Sequence, residues 1–189
     1  GNFPFAYSTA GGDTACALAA GCSVVVKAHP QHAATSTAVA KIIDEAIKEN
    51  NMPPHLFMHV HVTDLSLVKI LVMHPVIKAV GFTGSYTAGK QIFDWGNSRE
   101  QPIPVFAEMG STNPVYILPG KMKESAESYA VELSKSILTD AGQFCTKPGI
   151  IVIQNDDYAG TFIKTLQEKI NDAIPVSMLN EGIYQNYEL

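Results

Sequence analysis

Two residues of this chain could carry covalent chemistry, a thiol and a carboxylate that both stand beside turn-forming glycines. Cys145 lies in Ala141-Gly142-Gln143-Phe144-Cys145-Thr146, and Glu108 lies in Phe106-Ala107-Glu108-Met109-Gly110. A cysteine attacks a carbonyl carbon as the thiolate, and the intermediate it forms needs a second group to activate water. Taken alone, Cys145 reads more readily as an inert, small buried hydrophobe than as a nucleophile. Its neighbours Gly142, Gln143, Lys147, Pro148 and Gly149 instead describe a loop or helix entrance, where exposed N–H groups favour the thiolate and can bind an oxyanion. Glu108 ends a hydrophobic strand, where an apolar setting would suit a carboxylate to general-base work; the plainer reading is a solvated strand end. Cys16 and Cys22, near the end of an alanine-rich helix, read as packing residues.

A second set of residues could bind an anionic ligand. Lys27 ends the run Val24-Val25-Val26, and a cation at the carboxyl edge of a parallel sheet faces the crevice where ligands bind in such folds. Gly84-Ser85-Tyr86-Thr87-Ala88-Gly89-Lys90 follows one predicted strand and opens a predicted helix, matching the first seven positions of a phosphate-binding P-loop. The eighth position holds Gln91 in place of the hydroxyl that would reach magnesium, which counts against nucleotide phosphotransfer. A dinucleotide pyrophosphate at the helix N-terminus needs no such hydroxyl. The alternative is that Gly84 and Gly89 serve only turning and close packing. His29 with His32, and His59 with His61, lack a carboxylate or cysteine at metal-binding spacing, so no metal is expected.

The elements that must position these groups alternate between strands and helices. Strands are expected at 23–27, 56–60, 77–82, 104–108, 115–118 and 150–154. Helices are expected at 36–50, at 64–73 with Asp64 as its cap, and at 86–95, 125–138 and 158–171. This order predicts an α/β fold: a Rossmann-like parallel sheet flanked by helices, followed by the start of an α/β catalytic domain. The boundary falls at Gln101-Pro102-Ile103-Pro104, giving a cofactor-binding part over 1–103 and a catalytic part over 104–189. The pattern after Pro175 decides nothing.

Composition bounds the rest. With 189 residues, 46% hydrophobic and 16% charged, the chain can build a sizeable core. A net charge of -5 with no basic cluster excludes nucleic acid and anionic membranes as natural partners and leaves a small molecule. Three cysteines without a C-x-x-C pair argue against disulfides and zinc, and point to a reducing, cytoplasmic compartment. No apolar run approaches a membrane span, and no signal peptide is expected.

In order and spacing these motifs resemble the aldehyde dehydrogenase superfamily over nearly the whole chain. Asn2-Phe3-Pro4, Val26-Lys27, Phe82-Thr83-Gly84-Ser85, Glu108-Met109-Gly110 and Gly142-Gln143-Phe144-Cys145 are similar to five of its motifs. Ser8 to Thr14, Val26 to Pro30 and Pro104 to Ser111 are more closely similar to its 2-oxoglutarate semialdehyde and NADP-dependent fatty aldehyde members, the former preferred. The resemblance implies Cys145 as nucleophile, Glu108 as general base, and Asn2 with the Cys145 N–H as oxyanion donors. It assigns Lys27, Ala28, His29, Pro30, Phe82, Thr83, Gly84, Ser85, Ala88, Met109 and Gly110 to the cofactor. Pro30 stands where many NAD-preferring members carry a ribose-binding glutamate, which favours NADP over NAD, with Lys27 and His29 as candidates for attracting the extra phosphate. It further implies an aldehyde substrate, an acid product and a homo-oligomeric full-length enzyme of which this chain is an internal piece. Two other readings stay open: a cofactor-binding module without catalysis, and a P-loop phosphotransferase.

Overall fold

The computed structural model describes residues 5–188. In chain order its elements are α1 (Gly12–Ala19), β1 (Val24–Lys27), α2 (Ala33–Glu49), β2 (Phe57–Val60), α3 (Leu65–Met73), β3 (Val80–Thr83), α4 (Tyr86–Asn97), β4 (Val105–Glu108), β5 (Pro114–Ile117), α5 (Pro119–Leu138), β6 (Ile150–Ile153), α6 (Ala159–Asn171) and α7 (Glu181–Tyr187). The strands pair in parallel, as the alternating sequence requires: β1 with β2, β3 with β4, and β5 with β6. The closely spaced β4 and β5 therefore belong to different sheets. The chain divides into two units between Met109 and Gly110, β4 staying with β3 in the first.

In the first unit, Val26 and Phe57 of the β1–β2 sheet pack with Ala40 of α2, and Val24, Ile43 and Ile47 close the cluster. The apolar positions of α2 recur at helical spacing, so one stripe faces the sheet. In the second unit, α5 and α6 cover one face of β5–β6: Ile117, Met122, Ala126, Ala130, Leu133 and Phe162 form the core, joined by Val115, Ile151 and Ile153. The opposite face carries Tyr116, Ile150 and Val152, all exposed. Strands apolar on both faces are typical of sheets covered on both sides.

Where the elements depart from the sequence reading, a local cause is visible. α5 begins at Pro119, well before Ser125, because proline suits the first helical position; the helix then breaks at Ser125 (φ -160°, ψ 46°). β3 starts at Val80 in place of Ile77, because the preceding residues form a turn that closes from the Ile77 N–H to the His74 carbonyl. That turn is held by Arg99, the only arginine of the chain. Its side chain is nearly buried, and Nη1 donates to the Val72 carbonyl at 3.0 Å and the Ile77 carbonyl at 2.9 Å. Arg99→Met would leave two largely buried carbonyls without their donor. The expected cost is about 2 kcal/mol, read as roughly 30-fold faster hydrogen exchange of the amides between α3 and β3. Unchanged exchange there would show that water replaces the guanidinium.

Candidate active site

Lys27 closes β1, paired in register with Val60 of β2, and the Ala28 N–H continues the ladder to the Val60 carbonyl at 2.8 Å. Lys27 therefore stands at the carboxyl edge of a parallel pair, where partial burial lowers its pKa from the ordinary lysine range. His29 caps the 3-10 turn Pro30–His32, its Nδ1 accepting from the Gln31 N–H at 3.2 Å. Burial first, then the neighbouring His32 and Lys27, hold its imidazole below its ordinary range, so at neutral pH His29 is uncharged.

The second edge belongs to β3 and β4. Thr83 pairs with Glu108, and the Gly84 N–H donates to the Glu108 carbonyl at 3.0 Å. The candidate phosphate loop is thus tied through its backbone to the residue expected to act as base. Ser85 caps α4, its Oγ accepting from the Ala88 N–H at 3.3 Å. Gly89 is buried where the Met109 side chain and the Phe82 ring press on the helix; a Cβ would lie 2.7 Å from Met109 Sδ. Close packing accounts for this glycine. Lys90 does not turn toward the loop: its Nζ lies 2.6 Å from both carboxylate oxygens of Asp94, on the exposed side of α4. A P-loop lysine would have to face the phosphates. The Glu108 side chain is exposed.

Cys145 lies in the second unit, exposed, within a turn that closes from the Lys147 N–H to the Phe144 carbonyl at 3.0 Å. The approach to the turn is left-handed over Asp140 (φ 49°), Ala141 (φ 58°) and Gly142 (φ 73°), a conformation that favours glycine and is costly at alanine. Gln143 braces it from two sides, Nε2 donating to the Asp140 carbonyl and Oε1 accepting from the Leu179 N–H. The tail that the sequence left without a pattern therefore supports the cysteine loop before entering α7. From the other direction, Ser111 Oγ and Asn113 Nδ2 both donate to the Cys145 carbonyl, at 2.7 and 2.8 Å. The seam continues where the Gly149 N–H meets the Thr112 carbonyl; a Cβ at Gly149 would stand 2.5 Å from that oxygen.

The structure thus gathers the expected residues in three places. Lys27, Ala28, His29 and Pro30 share the β1 edge; Phe82 to Ser85, Ala88, Glu108 and Met109 share the β3–β4 edge; Gly110 and Cys145 lie in the second unit. Asn2 lies outside the described residues. One expectation needs revising. Cys16 and Cys22 do not pack in a core but are exposed, at the end of α1 and just past the left-handed turn at Gly21. His59 and His61 serve hydroxyl groups: His59 Nε2 lies 2.7 Å from Ser36 Oγ, itself 2.6 Å from buried Thr9 Oγ1, and His61 Nε2 lies 3.0 Å from Thr37 Oγ1. Among the described residues, no three His, Cys, Asp or Glu side chains converge. Sequence reasoning gave no role to Gln143, Ser111 or Asn113. The Asn113-Pro114 pair is a turn signal that marks the loop without revealing what it holds.

Comparison with known proteins places this geometry. The aldehyde dehydrogenase family model matches residues 2–181. The chain is 43% identical over 187 residues to an alpha-ketoglutaric semialdehyde dehydrogenase of Acinetobacter baylyi, covering 99% of this chain and 35% of that protein. It is 39% identical over 186 residues to alpha-ketoglutaric semialdehyde dehydrogenase 2 of Azospirillum brasilense, covering 98% of this chain and again 35% of the relative. Among solved structures, the gamma-glutamyl-gamma-aminobutyraldehyde dehydrogenase of Burkholderia cenocepacia superposes with a TM-score of 0.70 at 26% identity, over 85% of this chain and 31% of that one. The chain spans about a third of the length of each.

Proposed function

The chain belongs to the aldehyde dehydrogenase family, and on that premise we propose that the complete polypeptide oxidises an aldehyde to a carboxylic acid through a covalent adduct on Cys145. The observation that carries this reading is the exposed Cys145 at a turn braced on both sides by Gln143, Ser111 and Asn113. Exposure and bracing together present such a thiol for attack. In this reading Cys145 adds to the aldehyde carbon as thiolate, and the oxyanion of the thiohemiacetal meets the Cys145 N–H and the amide of Asn2. Glu108 later takes a proton from the water that hydrolyses the thioester, so the acid leaves free and the thiol is restored.

A nicotinamide dinucleotide, when bound, supplies the hydride acceptor between those two stages. The residues present fit that group: Lys27 at a sheet edge, a backbone loop from Phe82 to Ser85 opening α4, and Gly89 with Met109 closing the floor behind it. Pro30 adds no negative charge beside Lys27, which is why we favour NADP over NAD. The unit ending at Met109 is then the cofactor-binding part, and the unit from Gly110 opens the catalytic part. The aldehyde is 2-oxoglutarate semialdehyde, the substrate named for the two relatives above. The complete enzyme is a cytoplasmic homo-oligomer. Among the described residues, no helix is long and apolar enough to cross a membrane.

The test offers the complete natural polypeptide 2-oxoglutarate semialdehyde and a long-chain aldehyde, each with NADP and with NAD. Faster NADPH formation with the semialdehyde is expected. A preference for the long-chain aldehyde would move the substrate, a preference for NAD would overturn the cofactor, and NADP binding without turnover would leave a module that has lost its chemistry.

A further inference from the structure

We propose that Asn113, aided by Ser111, is a positioning residue that fixes the direction of the Cys145 thiol by holding the Cys145 and Lys147 carbonyls of its turn. The inference rests on the reading of Cys145 as nucleophile. Asn113 Nδ2 lies 2.8 Å from the Cys145 carbonyl, 3.0 Å from the Lys147 carbonyl and 3.0 Å from Ser111 Oγ. Ser111 Oγ donates to the Cys145 carbonyl at 2.7 Å. Proton counting fits this arrangement. The serine hydroxyl gives its one proton to the Cys145 carbonyl; of the two amide protons, one serves the Lys147 carbonyl and the other is shared between the Cys145 carbonyl and Ser111 Oγ. The reversed amide would set its own oxygen against two carbonyl oxygens, so the acceptors fix its orientation.

A carbonyl in an exposed turn ordinarily bonds to water, and two side-chain donors on one such oxygen call for a reason. With the Cys145 carbonyl pinned, ψ of Cys145 is set; with the Phe144–Lys147 bond closing the turn from inside, the Cα–Cβ direction follows. Cys145 is exposed, and its turn is held through the backbone carbonyls that Asn113 and Ser111 bond, so this backbone pin is what aims the sulfur. Asparagine suits the position twice over. It tolerates the left-handed backbone found there (φ 46°), and it carries two donors where aspartate, of the same shape, carries none.

The plainer alternative is that Asn113 merely stabilises the entry into β5. Four variants of the complete polypeptide separate the two. Asn113→Gly keeps the left-handed backbone and removes the donors. Asn113→Asp keeps the shape and turns donors into acceptors beside the thiol. Ser111→Ala loses one hydroxyl that Ser111→Thr retains. The readouts are kcat and KM for aldehyde, thermal midpoint, and the pH dependence of Cys145 alkylation by iodoacetamide. A positioning role predicts that Asn113→Gly lowers kcat about 10- to 100-fold, as for a nucleophile misplaced by about 1 Å, with the NADP KM and the thermal midpoint near wild type. Asn113→Asp loses more and moves the alkylation profile to higher pH, because a carboxylate disfavours the thiolate. Ser111→Ala loses part of kcat, and Ser111→Thr recovers it. If the Asn113 variants do not fold, the Ser111 pair decides. Variants that lose thermal stability while keeping kcat and the alkylation profile overturn the inference and leave the function standing. Wild-type protein without Cys145-dependent turnover overturns the function instead, and the alkylation profiles still decide whether Asn113 sets the thiol.

Discussion

Cys145→Ala in the complete polypeptide is expected to lower aldehyde-dependent NADPH formation by at least about 10^4-fold while leaving NADP affinity within about twofold of wild type. The size follows from the chemistry. Without a thiolate the aldehyde carbon never becomes a thiohemiacetal, and the methyl group of alanine offers no nucleophile in its place. The preserved affinity is expected because Lys27 and the Phe82–Ser85 loop stand at strand edges held by pairing with β2 and β4. Stopped-flow NADPH absorbance and a cofactor titration check the two halves separately. Turnover that survives the substitution would remove Cys145 from the mechanism; lost affinity for NADP would show that the substitution acts through the fold.

Much of the fold is written locally. The valine run Val24-Val25-Val26 and the apolar stripe of α2 are periodic over enough residues that propensity and packing agree, so β1 and α2 stand close to where their pattern puts them. Asp64 caps α3 as its type and place suggest, Oδ1 accepting from the Ser66 N–H at 2.8 Å. What escapes local reading is set at a distance. Arg99 shifts the start of β3 by bonding carbonyls 22 and 27 residues away in sequence. No propensity scale contains that information. The partition into three parallel pairs is equally invisible, since neighbouring β4 and β5 look like partners in sequence and are not.

The site divides in the same way. Residue types that could perform chemistry announce themselves, as a cysteine among glycines and a glutamate at a strand end do here, each with a plainer structural reading beside it. Residues that hold them do not. Asn113 and Ser111 are common loop residues whose partners lie 32 to 34 positions away, and Gln143 reaches 36 positions ahead to Leu179. Their donors matter only once the turn exists. Lys90 errs in the opposite sense: its spacing from Gly84 imitates a phosphate-binding lysine, but an aspartate four residues on, one helical turn away, claims its ammonium group.

Glu108→Gln should separate the two halves of the reaction. On the proposed function, the complete enzyme would convert aldehyde, water and NADP into acid, NADPH and a proton, and only the final hydrolysis would need a base near the acyl carbon. Glutamine keeps the length and the amide plane but cannot take a proton from water. The first turnover then proceeds, and a burst of NADPH approaching one equivalent per Cys145 appears before the rate falls about 10^2- to 10^4-fold. The acyl group stays on sulfur, and mass spectrometry of the quenched protein finds it as a thioester on the peptide containing Cys145. The Glu108 backbone is fixed twice, by register with Thr83 and by the Gly84 N–H, and the side chain is exposed. Substitution there should leave the strand, the loop and the cofactor intact. A variant with neither burst nor turnover would place Glu108 before thioester formation, as the base that draws the proton from the thiol, and one with full turnover would assign the activation of water to another group.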